Sequence, residues 1–344
     1  MKVTIRKIAE IAKVSKSTVD IVLNNKPGVS DEVRCNVKKI ADELNYKPNV
    51  VAKALNYQRN PLVIGIIIPR EENPFFDEIR RGFDVAYKEI KDFGFKVEYY
   101  TVNNFDFEEQ LKVINYLADK KISGLALRVT NHEEIRLAID KIAENNLPVV
   151  TFDSDVINSK RLCFVGEDHI GSGKVAGELM GKILNGTGKV AIITGGFNVL
   201  GHNLRIQGFK TFLEQEFPNI EIVQTIETFE QEVITYEKTL SLLKSEKDLK
   251  GIFISAGNAK VVGNAVKHLN KGTDLKIVSY NFSPEIVELL KEGIIDLTIG
   301  LDPFTQGYET MKILFEYLFN KKSPGEKHIK TPIHIGIKSN IDLF

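Results

Sequence analysis

The first sixty residues carry three short apolar stripes at helical spacing. Ile5, Ile8, Ala9 and Ala12 form the first, with Thr4 placed to cap it. Val19, Val22 and Leu23 form the second, capped by Ser15 and ended by the run N-N-K-P-G at 24–28. Val33, Val37, Ile40, Ala41 and Leu44 form the third. Ser30 caps it, and Asp31 and Glu32 suit the positive end of its dipole. Two short helices with a tight turn, braced by a third, predict a helix-turn-helix, a motif whose second helix enters the major groove of DNA. On that helix Lys16, Ser17, Asp20 and Ile21 point outward. The pattern alone equally describes a small helical bundle used for protein contacts.

After Pro61 the period changes. Val63-Ile64-Gly65-Ile66-Ile67-Ile68 is a continuous run of the kind found in strands buried on both faces. Helical and strand patterns then alternate: helix near 75–93, strand 97–101, helix 107–119, strand 124–127, helix 133–144, strand 149–152. A second set begins near Cys163, with strands at 190–194, 220–225, 251–254, 276–279 and 297–299. Alternation of this kind predicts parallel sheets with right-handed crossovers, and two sets predict two similar doubly wound lobes. Ligands of such sheets bind beyond the carboxyl ends of the strands. The residues in those places are Asn73-Pro74-Phe75-Phe76, Asp153-Ser154-Asp155, 201–205, Asn258, Asn281 and Asp302. Singly, each could be a turn or cap residue. Together they place aromatic faces, amides, a carboxylate and a guanidinium around one cleft, a set suited to a polyhydroxyl ligand.

A length of 344 residues requires more than one domain. Lys and Arg together balance Asp and Glu at 46 each, but unevenly along the chain. The first sixty residues hold twelve basic and six acidic side chains, and the remainder holds 34 and 40. A basic head on an acidic body implies a polyanionic partner for the head. No apolar run approaches the ~18–20 residues needed to span a membrane, and M-K-V-T-I-R-K has no apolar core behind its charges. A cytoplasmic protein without a membrane partner is therefore expected. Cys35 and Cys163 lack metal or redox spacing and are expected to be reduced structural thiols, with no metal site and no cofactor.

The head also resembles a known family. V-T-I-R-K-I-A-E-I-A-K-V-S-K-S-T-V, N-N-K-P-G-V-S and A-D-E-L-N-Y-K-P-N-V-V-A-K-A-L are similar, almost unbroken from Val3 to Leu55, to the head of the lactose-repressor (LacI/GalR) family. The resemblance implies operator DNA as partner, a homodimer, and contacts from Thr4, Ser15, Lys16, Ser17, Thr18, Asp20, Ile21, Asn24 and Ser30. It also implies a hinge helix from Asn49 that includes Ala52, with Leu55 as a minor-groove wedge that kinks the duplex. Asp20-Ile21 stands where the family usually has Ser-Arg. The guanine-reading arginine is thus missing, and Ile21 offers only an apolar contact. Lys13 replaces the usual turn glycine.

The body resembles periplasmic sugar-binding proteins of the ribose-binding type. That likeness assigns Asn73, Phe75, Phe76, Asp153, Arg205, Asn258 and Asn281 to a ligand, with a sugar or related polyol as effector. Asn281 stands for a usual aspartate, Leu301 for a usual glutamine and Ser154 for a usual arginine. The fold class expected is multidomain: an all-α helix-turn-helix head (1–48), a hinge and linker (49–60), and an α/β periplasmic-binding-protein-like body (61–344). Lobe one is expected at 61–162 and 297–322, lobe two at 163–296 and 323–344. A transport-type solute-binding protein would fit the body but not the basic head. An enzyme is not expected: Gly195-Gly196 lacks the full G-x-G-x-x-G, and no nucleophile elbow is found. His169 and His202 lie near strand ends and are expected in structural or surface roles.

Overall fold

The structure, a computed structural model, describes residues 3–23, 27–44, 46, 50–70, 73–103, 106–197, 199–271 and 274–344. Its contacts separate two compact units, Met1–Asn60 and Pro61–Phe344. In the first, α1 (Ile5–Ala12), α2 (Lys16–Leu23) and α3 (Asp31–Glu43) enclose a core of Ile8, Ala9, Ala12, Val19, Val22, Val37, Ile40 and Ala41. The stripes close on one another because each helix is apolar on one face only. Thr4 and Ser30 cap α1 and α3 by accepting backbone N–H bonds from Lys7 and Val33. Lys13 ends α1 at φ 52°, a left-handed conformation that favours glycine. A fourth helix, α4 (Val50–Arg59), buries no residue.

Chain order in the second unit gives strands β1 (Leu62–Pro69), β2 (Phe95–Val102), β3 (Gly124–Leu127), β4 (Val149–Phe152), β5 (Cys163–Gly166), β6 (Thr187–Thr194), β7 (Asn219–Glu227), β8 (Leu249–Ile254), β9 (Lys276–Tyr280), β10 (Leu297–Leu301), β11 (His328–Lys330) and β12 (Ile333–Gly336). Between them run α5 (Pro74–Ile90), α6 (Phe107–Asp119), α7 (Glu133–Glu144), α8 (His169–Ile183), α9 (Leu200–Glu216), α10 (Glu232–Ser245), α11 (Ala259–His268), α12 (Pro284–Glu292) and α13 (Pro303–Phe315). Among the described residues no helix is long and apolar enough to cross a membrane.

The strands form two six-stranded sheets, ordered β11-β5-β4-β3-β1-β2 and β12-β10-β9-β8-β6-β7. All neighbours are parallel except β10 and β12. In both sheets the strand order reverses beside the first strand, so the ends of β1 and β3, and of β6 and β8, open onto a crevice. The expected lobe boundaries need correction, each by one strand. β5 pairs with β4, not with the second sheet. β10 pairs with β9, not with the first sheet. β11 pairs with β5, and only β12 returns to the second sheet. The chain thus passes between lobes after Gly166, after Leu301 and after Lys330.

Each lobe also has one tight helix pair. In lobe two α8 lies against α9 so closely that a Cβ on Gly173 would stand 2.1 Å from the carbonyl oxygen of Arg205. Lobe one repeats this arrangement, with α13 against α5.

Candidate nucleic-acid interface and effector cleft

On the head, Thr4, Ser15, Lys16, Ser17 and Ser30 are exposed and Thr18, Asp20 and Ile21 are half-buried. Ser15 Oγ accepts from the Thr18 backbone N–H at 3.0 Å. The Ser17 and Thr18 hydroxyls lie 2.6 and 2.9 Å from the same oxygen. A cluster of hydroxyls therefore fronts the N-terminus of α2, which begins at the exposed Lys16, a place suited to phosphate oxygens. Asp20 sits close enough to Tyr46 that its carboxylate adds to burial in raising the phenol's pKa. On α4, Ala52 and Leu55 are exposed, Leu55 at 55%. Asn24 and Asn49 lie outside the described residues.

The crevice of the body is a cleft of about 680 Å³, its open mouth included. Six of the seven expected ligand residues line it: Asn73, Phe75, Phe76, Asp153, Arg205 and Asn281. Asn73 ends the loop after β1, and its Oδ1 accepts from the Phe75 backbone N–H at 2.9 Å, which starts α5. Phe75 and Phe76 stand edge to face, with centroids 5.5 Å apart. Asp153 follows β4 at φ 59°, and Asn281 follows β9 at φ 75°. Left-handed backbone at non-glycine residues is uncommon and gathers at ligand clamps. The Asn281 side-chain oxygen is buried without a hydrogen-bond partner.

Asn258 is the exception. It begins α11 and donates its amide N–H to Thr235 Oγ1 at 3.3 Å. Ala256 and Gly257 line the cleft in that segment instead. The Asn258 amide is turned toward Thr235 and away from that wall.

Residues that the sequence reading missed complete the wall. Arg128, just after β3, donates from Nε to Asp153 Oδ2 at 3.0 Å. Arg205 projects from α9 over the Tyr280 ring, 4.2 Å from its centroid, and donates to the Ser255 carbonyl at 2.9 Å. Its guanidinium is held by Glu167 Oε1, which His169 Nδ1 also meets at 2.6 Å. Burial pushes the Glu167 carboxyl up, but the Arg205 charge and His169 outweigh it and hold it below the usual range. His169 and His202 are not surface residues. Both line the cleft, and burial, helped by Arg205 and Arg128, keeps the His202 imidazole neutral. Glu230, after β7, also faces in, with its pKa raised chiefly by burial. No local sequence signal marks Arg128, Glu167 or Glu230, since each acts through partners distant in the chain.

The comparisons agree with this division into head and body. The model of the lacI family of bacterial regulatory proteins matches residues 4–49, and that of the periplasmic binding protein domain matches 64–322. A ribose operon repressor of Halalkalibacterium halodurans is 30% identical over 82% of this chain and 81% of its own. The chain belongs to the LacI family. A second LacI-like relative, the HTH-type transcriptional regulator DegA of Bacillus subtilis, is 29% identical, and the match spans 62% of each protein. The LacI-family body superposes on GanP, a glucose-galactose binding protein from Geobacillus stearothermophilus. That match has a TM-score of 0.75 and 27% identity, covering 81% of this chain and 98% of GanP. The chain is a regulator and not an enzyme.

Proposed function

We propose that this LacI-family protein is a cytoplasmic, homodimeric repressor whose hold on operator DNA is set by a sugar or related polyol bound between the two lobes of its body. The observation that carries the reading is one cleft that gathers Phe75, Phe76 and Asp153 from lobe one with Arg205 and Asn281 from lobe two. A ligand touching both lobes stabilises one arrangement of them over the other. The aromatic faces pack against sugar C–H edges, while Asn73, Asp153, Arg205 and Asn281 bond its hydroxyls.

Two heads read half-sites of a near-palindrome through Ser15, Lys16, Ser17, Thr18, Asp20 and Ile21, with Thr4 and Ser30 on phosphates. Asn24 and Asn49 join them from positions outside the described residues. Paired α4 helices present Ala52 and Leu55 to the minor groove between the half-sites. The 55% exposure of Leu55 supports this, because a wedge must stand in solvent to insert between base pairs. Operator and effector are then coupled by linkage. The names of relatives, a ribose operon repressor and a glucose-galactose binding protein, point the same way.

The test is sequencing of genomic fragments retained by the full-length protein, with and without a panel of pentoses and hexoses. Recovery of a few near-palindromic sites, with retention altered by one sugar, is expected. Retention without sequence enrichment, or enrichment that no sugar or polyol alters, overturns the operator or the effector half respectively.

A further inference from the structure

Glu230 lines the cleft from an uncommon stretch of backbone. Phe229 and Glu230 are consecutive non-glycine residues, both at φ 54°. The turn that holds them is closed by Gln231 N–H donating to the Thr228 carbonyl at 3.0 Å, and Thr228 is tied to the Thr194 carbonyl at 2.9 Å. Two left-handed residues in succession are sterically uncommon. They aim the Glu230 side chain at the cleft while leaving Phe229 54% exposed.

Gly195 clears the space it occupies, and Gly257 borders it. A Cβ on Gly195 would stand 2.7 Å from Glu230 Cγ and 2.8 Å from Oε1. A Cβ on Gly257 would stand 3.6 Å from Oε1. Beside the carboxylate lies His202, whose Nε2 is 3.8 Å from Oε1 and whose Nδ1 is buried without a partner.

The charges of the cleft are otherwise matched. Asp153 is paired with Arg128, and Glu167 with Arg205. Among the described residues, Glu230 has only His202 within ion-pairing distance. An anionic ligand would therefore meet a third carboxylate with both guanidinium groups already engaged. A half-buried carboxylate with no cation in contact is unfavourable, and a cation brought by the ligand removes that penalty.

We infer that Glu230 is the specificity-determining residue of the effector cleft, and that the effector is a polyol carrying a protonated amine that this carboxylate binds. The inference rests on the sugar-effector reading above and narrows it to one chemical class. Burial drives the Glu230 carboxyl toward holding a proton, with partial relief from Arg128 and from the Gly257 backbone N–H. An ammonium group takes that proton's place.

The experiment is calorimetric titration of the full-length protein at neutral pH with glucosamine, galactosamine and mannosamine. Each is compared with its parent hexose and with its N-acetyl derivative, which keeps the nitrogen and loses the charge. At least one amine is expected to bind about thirtyfold or more tightly than its parent and its N-acetyl form, with the preference abolished in Glu230→Gln. Gly195→Ala changes no charge but displaces the carboxylate, and is expected to reduce the same preference. A parent hexose bound as tightly as its amine, or a preference that survives in both variants, overturns the assignment while leaving the sugar-effector reading intact. Binding of no amine overturns the assignment, and the sugar-effector reading falls with it only if the pentose and hexose panel above also leaves operator retention unchanged.

Discussion

Glu167 and Arg205 make the most exacting test of the cleft's construction. The Glu167 side chain is 1% exposed and that of Arg205 8%. Oε1 of Glu167 receives both Arg205 and His169, while Oε2 has no partner. Arg205→Met keeps most of the apolar stem against Tyr280 but strands a buried carboxylate. Breaking a buried pair from one side costs about 3–5 kcal/mol. At about 2 °C per kcal/mol for a domain of this size, the melting temperature should fall by about 6–10 °C at pH 7.5.

The sign with pH follows from Glu167. In the native protein its pKa lies below the ordinary value, so it contributes stability above the unfolded pKa that is lost as pH falls through the folded one. In Arg205→Met burial, the largest influence on Glu167, is opposed by His169 alone and is expected to lift the folded pKa above the unfolded value. The penalty is then full near neutrality and shrinks as pH falls toward the unfolded pKa of about 4.3. Melting followed by circular dichroism at pH 7.5 and 5.0 should show a smaller loss at pH 5.0. The double variant Glu167→Gln/Arg205→Met should recover most of the loss at pH 7.5. An equal loss at both pH values, with no recovery in the double variant, would refute the charge argument and leave packing on Tyr280 as the cause. Arg205 is thus a structural residue as well as a ligand candidate, and its removal from the ligand-free protein is not neutral.

Gly173→Ala should lower stability by about 1–3 kcal/mol, read as a melting shift, because α8 and α9 must part where Arg205 is anchored. Wild-type stability in that variant would show that the helices separate freely. Cys35 is exposed, whereas burial pushes the Cys163 thiol up to about 11. Ellman's reagent at pH 8 should therefore titrate one thiol in the native protein and two after denaturation. Two fast thiols would contradict the burial of β5. Leu55→Gly removes the proposed wedge and also weakens α4 by about 1 kcal/mol. A loss of operator affinity of about tenfold or more in a mobility-shift titration is expected, and equal affinity would end the wedge proposal.

Much of the molecule is written locally. The three stripes of the head, the caps Thr4 and Ser30, and most strands of the body depend on neighbours within a few residues, where spacing alone decides which face is apolar. The cleft positions of Asn73, Phe75, Asp153 and Asn281 follow equally directly, because a side chain placed just beyond a parallel strand's carboxyl end faces the crevice whichever sheet the strand joins. β11 and β12 escaped the pattern, being short edge strands without a continuous apolar run.

What only the tertiary structure decided is which distant segments meet. Periodicity marks a strand but not its neighbour, so β5, β10 and the segment 328–330 were placed one lobe away from the sheets they join. The Asn258 amide turns to Thr235, a partner distant in the chain. Arg128, Glu167, His202 and Glu230 look like ordinary polar residues in sequence. With Asp153 and Arg205, the charged ones become two ion pairs with one carboxylate over, beside a neutral His202, only when two sheets and three crossovers bring them to the same crevice, because the energy of a charge away from water depends on what surrounds it and not on its neighbours in the chain.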